Sequence, residues 1–221
     1  MSGGTGGTGT KTDGRVERGN QTRRLVLGRT MDIASVEGLE GLSLGRIATE
    51  LSLSKSGVFA LFGSKEELQL ATVRAAVSVF SRRVVAPLRD VPPGAVRVRE
   101  LCGNWLAYSA ERVFEGGCFF YAVSAEFDAR PGPVHDAVAR ARHDWTAYME
   151  ETLSEARAAG ELVADLDVEQ LAFEVIALME AANAHSVLFG APEAYGRAER
   201  GIAARLRAAA TDRGREALAA A

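Results

Sequence analysis

The residues best placed to do chemistry are Ser54, Lys55, Ser56, Gly57 and Phe59, with Arg46 shortly before them and Lys65 shortly after. Small or cationic side chains on the first turn of a helix allow close approach to phosphates and base edges, so the chemistry they suit is recognition of a polyanion. Ser54 stands where an N-cap is wanted. Lys55 and Lys65 suit phosphate contact at helix N-termini, and Arg46 suits backbone contact from a bracing helix. Ser56 and Gly57 are placed to affect sequence preference. No paired carboxylate, activated nucleophile or cofactor motif accompanies them, and His135 and His143 do not share the i, i+4 spacing of a chelating pair. Neither an enzyme, nor a metal, nor a cofactor is expected.

The elements that must position these residues lie in 42–68, LSLGRIATELSLSKSGVFALFGSKEEL. Ile47, Ala48 and Leu51 give a first short helix an apolar face, Leu53 fills a turn, and Val58 and Phe62 form the inner face of a second helix. This is a helix-turn-helix pattern, in which one helix braces while the other lies in the major groove of DNA. Ser64 and Glu67 spell a capping box that opens a longer helix running to about Val85, ahead of Pro87, and bridging head to body. Before the motif, Val26, Leu27, Thr30, Ile33 and Ala34 recur at helical spacing until Gly38 and Gly41.

Charge divides along the chain. Residues 1–85 hold twelve Lys/Arg against eight Asp/Glu, and 86–221 hold fourteen against twenty-one, giving +4 and −7 for the total of −3. A basic head on an acidic body suits one part meeting a polyanion and the other doing something else. Residues 1–21 are Gly/Thr-rich and are expected to be a disordered arm, from which Lys11, Arg15 and Arg18 can reach the DNA backbone. The apolar stretch Leu171–Phe189 is interrupted by Glu174, Glu180, Asn183 and His185, which makes it a poor membrane span. With no apolar N-terminal run and two cysteines, Cys102 and Cys118, expected to be buried structural thiols, the chain reads as cytoplasmic.

Past Pro92–Gly94 every segment again has helical periodicity, ending with Ile202 and Leu206 before an Ala-rich tail, so an all-α chain of about nine helices is expected. The organisation is an arm to residue 21, a head over 22–68 and a body over 86–221. Inward positions of the body combine Trp105, Tyr108, Phe119, Trp145 and Met149 with Asn104, Glu126 and Asn183, the composition of an apolar pocket with a few polar anchors for a small hydrophobic molecule. The helix over 168–189 is apolar on nearly every face, which implies contact with a second subunit. Leu171, Val175, Leu178 and Met179, with Tyr195 and Ile202 of the last helix, are the expected homodimer contacts.

The residues Gly41, Ser43, Ile47, Ala48, Leu51, Ser54, Lys55, Phe59, Phe62, Lys65, Glu66 and Leu68 together resemble the DNA-binding head of the TetR/AcrR family of bacterial transcriptional regulators. The resemblance implies a homodimer on a palindromic operator of double-stranded DNA, usually a repressor, with a helical body that holds a small-molecule effector. An activator or thiol-sensing regulator is the first alternative, and a helical enzyme a distant second. Three positions depart from the family pattern: Ser52 stands where Gly is usual in the turn, Phe59 where Tyr is usual, and Leu61 where a polar residue is common. Phe59 and Leu61 have no side-chain donor for phosphate, so Lys55, Lys65 and backbone N–H groups are expected to carry more of the anchoring.

Overall fold

The computed structural model describes the backbone of residues 10–220 and the side chains of residues 16–220. Among them the chain is all-α, with ten α-helices and a single isolated bridge, Leu162 to Ala210. The head comprises α1 (Thr10–Glu37), α2 (Leu44–Glu50) and α3 (Lys55–Phe62), and α4 (Lys65–Phe80) leads out of it. One wide π-helical turn (Ser81–Val85) and a 3₁₀ turn (Ala86–Leu88) carry α4 into the body. The body is α5 (Ala95–Ala110), α6 (Phe119–Phe127), α7 (Pro133–Ala158), α8 (Val168–Phe189), α9 (Glu193–Ala209) and α10 (Asp212–Ala220).

Local chemistry explains most of these boundaries. Ser43, Ser54 and Ser64 accept from the backbone N–H groups of Arg46, Gly57 and Glu67 at the starts of α2, α3 and α4. Asp167 does the same for α8 through Gln170. At α4 only this half of the capping box forms, since the Ser64 N–H donates to Phe62 O. Gly38, Gly63, Gly160 and Gly190 take positive φ just past helix ends.

Two termini differ from the sequence expectation. Residues 10–21, expected in the disordered arm, belong to α1, and residues 1–9 lie outside the described residues. Adding turns to a nucleated helix costs little, and the Arg24–Glu17 pair and the Thr22 hydroxyl on Arg18 O tie the extension. The Ala-rich tail does not fade but forms α10, where Thr211 accepts from the Gly214 N–H at 3.2 Å and Arg99 reaches Leu218 O at 3.0 Å.

One continuous apolar core runs from Val26 and Ile47 in the head through Leu68 and Val84 to Leu101, Met149, Val175 and Leu206 in the body. At its centre sits a buried polar knot. The Ser109 hydroxyl and the Cys118 N–H each lie 2.9 Å from Asn183 Oδ1, and Tyr195 Oη lies 2.9 Å from Ser109 Oγ. These bonds join α5, the start of α6, α8 and α9. Helix α8 is long and apolar enough to cross a bilayer by length and composition. Its hydrogen-bonded Asn183 and the ion pair between Glu180 and Arg142 of α7 mark it instead as a core helix.

Candidate DNA-binding head and body cavity

The turn between α2 and α3 is closed by the Leu53 N–H donating to Ala48 O at 2.8 Å, and Ser52 bears the left-handed backbone with φ of 53°. A side chain makes that conformation strained, which is why Gly is usual at this position of the turn. Val58 and Phe62 are buried, and Arg23 of α1 secures their helix by stacking 4.6 Å from the Phe62 ring centroid and donating to Leu61 O at 2.8 Å. Ser54, Lys55, Ser56, Gly57 and Phe59 therefore stand on the exposed side of α3. Phe59 is 57% exposed, a large value for an aromatic ring with no polar atom. Lys55 has no ion-pair partner among the described residues.

The other two expected DNA cations are engaged inside the head. Arg46 donates to Glu37 and, at 2.7 Å, to Glu50, which also accepts from Arg29 at 2.7 Å. The hydrogen bonds from Arg46 hold the Glu37 and Glu50 carboxyls below the usual range, and they raise the guanidinium in turn. Lys65 Nζ lies 2.8 Å from Glu40 Oε2 and 2.9 Å from Glu40 O, and this contact, ahead of the one from Gln69, lowers the Glu40 carboxyl. Arg46 and Lys65 thus brace α1, α2 and α4 against one another.

Head and body meet along α1. Gln69 of α4 is buried and donates to Leu39 O at 2.9 Å, and Thr72 meets Thr30 at 2.9 Å. From the other side, Glu126 at the end of α6 accepts the N–H groups of Leu39 and Glu40 at 2.7 and 2.8 Å. A Cβ on Gly116, in the loop before α6, would fall 1.9 Å from Ser35 O, so only glycine permits that approach.

The body holds a cavity of about 140 Å³ between α4, α5, α6 and α7, walled chiefly by Val77, Phe80, Trp105, Phe120, Trp145 and Tyr148. Trp105 and Trp145 are where the sequence placed a pocket. The other six expected anchors are elsewhere. Phe119 and Met149 are fully buried core residues, and Tyr108 is buried behind the wall. Asn104 donates to Val84 O, Asn183 forms the polar knot, and Glu126 holds the head. Aromatic composition identifies a pocket-forming body but does not say which face of each helix is inward. Phe80 carried a signal, as the one aromatic residue of the bridging helix.

With this geometry, residues 94–202 match the family model described as "Tetracyclin repressor-like, C-terminal domain". The chain belongs to the TetR family. No curated protein matches it. TetR-family structures share its fold over nearly their whole length. A TetR transcriptional regulator from Chloroflexus aurantiacus is 23% identical, with a TM-score of 0.80 over 88% of this chain and 98% of that one. One from Cytophaga hutchinsonii is 18% identical, with a TM-score of 0.76 and the same coverage, 88% and 98%. AibR, solved with isovaleryl coenzyme A and operator DNA, is 19% identical, with a TM-score of 0.61 over 73% of this chain and 85% of that one.

In this TetR-family regulator the expected dimer residues face inward. Leu171, Val175, Met179, Tyr195 and Ile202 are buried within the protomer, and Leu178 packs partly buried against Gly201 of α9. The free apolar face of α8 is a different stripe: Phe173, Ala177, Ala181 and Leu188 are exposed, Phe173 at 69% and Leu188 at 74%. An all-apolar helix has both an inner and an outer face, and periodicity alone does not say which is which.

Proposed function

We propose that this chain is a ligand-responsive repressor that acts in the cytoplasm as a homodimer on a palindromic operator and is released by a small hydrophobic effector. The observation that carries the reading is α4. Its first half holds the head through Lys65, Gln69 and Thr72, and its last turns, at Val77 and Phe80, wall the cavity. A guest that favours a different position of Phe80 therefore moves the element on which the head is mounted, a population shift between two head arrangements. Operator binding needs no catalysis, and Lys55, Ser56, Gly57 and Phe59 of α3 supply the surface that enters the groove. The solved AibR complex, with both an acyl coenzyme A and operator DNA, supports a two-ligand regulator on this fold.

The dimer reading draws on the exposed stripe of α8, since contiguous apolar side chains at the surface of a soluble bundle mark an interface. A thiol-sensing mechanism is disfavoured by burial, which pushes the Cys102 thiol up to about 12 and Cys118 up to about 11. The test is footprinting on DNA flanking the protein's own gene, with and without hydrophobic ligands. Protection of a two-fold symmetric site, lost when ligand is added, is expected. A protein that binds no duplex at low salt, or whose footprint ignores every ligand that occupies the cavity, overturns the reading.

A further inference from the structure

The outward face of α3 is poor in hydrogen-bonding groups. Val58 and Phe62 turn inward, and Lys55, Ser56, Gly57, Phe59 and Ala60 are the exposed residues of the helix. Ser54, the N-cap, already uses its side-chain oxygen to accept the Gly57 N–H at 3.0 Å. Lys55 leans back over the first turn of α2, where a Cβ on Gly45 would lie 3.6 Å from Lys55 Cε, so its ammonium is directed away from the second turn of α3. What stands on that second turn is Phe59, 57% exposed, with Ala60 beside it. Neither side chain has a polar atom. Phe62 is buried beneath Arg23, whereas Phe59 belongs to no part of the core.

An apolar ring on a groove-facing helix matches only one feature of a base edge. In the major groove guanine, cytosine and adenine present donors and acceptors alone, and thymine adds a 5-methyl group beside its O4 acceptor. A phenyl ring set against a donor or an acceptor displaces the water bound there and returns no hydrogen bond. Set against a methyl, it removes apolar surface from water on both sides. A phosphate gains nothing from it, because the ring lacks the hydroxyl that a tyrosine would bring to the same position. We propose that Phe59 reads one thymine in each operator half-site by packing on its 5-methyl group. This rests on the operator-binding reading above and names the base feature that α3 recognises.

The test uses the full-length protein and a duplex that it selects from a random pool. Each thymine of a half-site is replaced in turn by deoxyuridine, which removes the methyl and keeps every hydrogen-bonding group of the base. At one position, changed in both half-sites, affinity is expected to fall about ten- to twentyfold, or roughly fourfold for each methyl. Cytosine at that position also weakens binding, and 5-methylcytosine binds better than cytosine because the methyl returns at the same place. Phe59→Ala no longer distinguishes thymine from deoxyuridine there, while Phe59→Leu, which keeps an apolar body, retains part of the discrimination. Both variants should melt with the wild type, since the ring is exposed, and both should keep the wild-type salt slope, since no phosphate contact is lost. Indifference to deoxyuridine at every thymine, a loss that persists undiminished in Phe59→Ala, or 5-methylcytosine that binds no better than cytosine overturns the proposal. Wild-type affinity in Phe59→Ala overturns it too, and assigns the ring to a protein partner instead. A protein that selects a duplex and yet ignores every methyl leaves the operator-binding reading intact, whereas one that selects no duplex at low salt removes both.

Discussion

Replacing Glu126 by Ala isolates the contact that seats the head on the body. The carboxylate accepts two N–H groups, from Leu39 at 2.7 Å and Glu40 at 2.8 Å, immediately past the end of α1. A hydrogen bond to a charged group contributes about 1.5–3 kcal/mol, and Leu39 is buried while Glu40 is exposed. Water replaces the bond to Glu40 readily and the bond to Leu39 poorly, so the net loss is about 2 kcal/mol. Because Gln69 and Thr72 still hold α1 from α4, the loss falls on local opening of the junction rather than on the whole fold. Native-state hydrogen exchange reads it directly, as about thirtyfold faster exchange of the Leu39 and Glu40 amides, with amides in the middle of α8 unchanged. Gly38 provides an internal control. A Cβ there would lie 2.5 Å from Glu126 Oε2 on a backbone with φ of 80°, so Gly38→Ala carries both a clash and backbone strain. In the Glu126→Ala background only the strain remains, and the two substitutions must be less than additive. Wild-type exchange at Leu39 and Glu40, or full additivity, refutes the claim that this carboxylate fixes the head.

Four further outcomes follow from the same geometry. Asn183→Ala leaves the buried Cys118 N–H unpaired while Ser109 keeps its bond to Tyr195, and a loss of about 2–4 kcal/mol in denaturant unfolding is expected. The Glu37, Glu40 and Glu50 carboxyls are held below their ordinary value of 4.5, so their stabilisation is present above that pH and is lost as pH falls through the depressed folded values. Arg46→Ala should flatten this acid dependence in a melting series without the uniform loss of DNA affinity expected of a phosphate contact. Lys55→Ala, by contrast, should weaken binding to every duplex and lower the salt slope by about one unit in a salt titration. Phe173→Glu with Leu188→Glu places charges on the exposed stripe of α8, and sedimentation should show a monomer that keeps its helical content.

The head was legible in the sequence because its determinants are local. Ser43, Ser54 and Ser64 each cap a helix three residues ahead, and Ser52 signals its own positive φ by standing in a turn that asks for glycine. The body was legible only as a set of helices. Glu126 finds its partners 86 and 87 residues away, and no periodicity reports such a distance. Arg46 and Lys65 have the types and spacing of phosphate ligands, yet carboxylates from α1 and its following loop reach them first. Residue type gives the capacity for a contact, and competition among neighbours in the fold decides which contact is made.

That competition also bears on how an occupied cavity would reach the DNA. Two elements join cavity to head, and both have one end in each place. Helix α4 has Phe80 in the wall and Gln69 on the Leu39 carbonyl. Helix α6 has Phe120 in the wall and Glu126 on the Leu39 amide. The same residue of the head is thus gripped from both sides, by its acceptor and by its donor. In the wall Phe80 and Phe120 touch, with centroids 6.0 Å apart, so a guest inserted between them separates the two levers at their shared end. Motion of α4 alone would pull Leu39 against a fixed α6, and the Glu126 bonds would oppose it. Motion of both lets the head turn without that penalty. Cutting the α6 grip with Glu126→Ala should therefore lower operator affinity without ligand and lessen the further drop that ligand produces, because part of what the ligand must break is already broken.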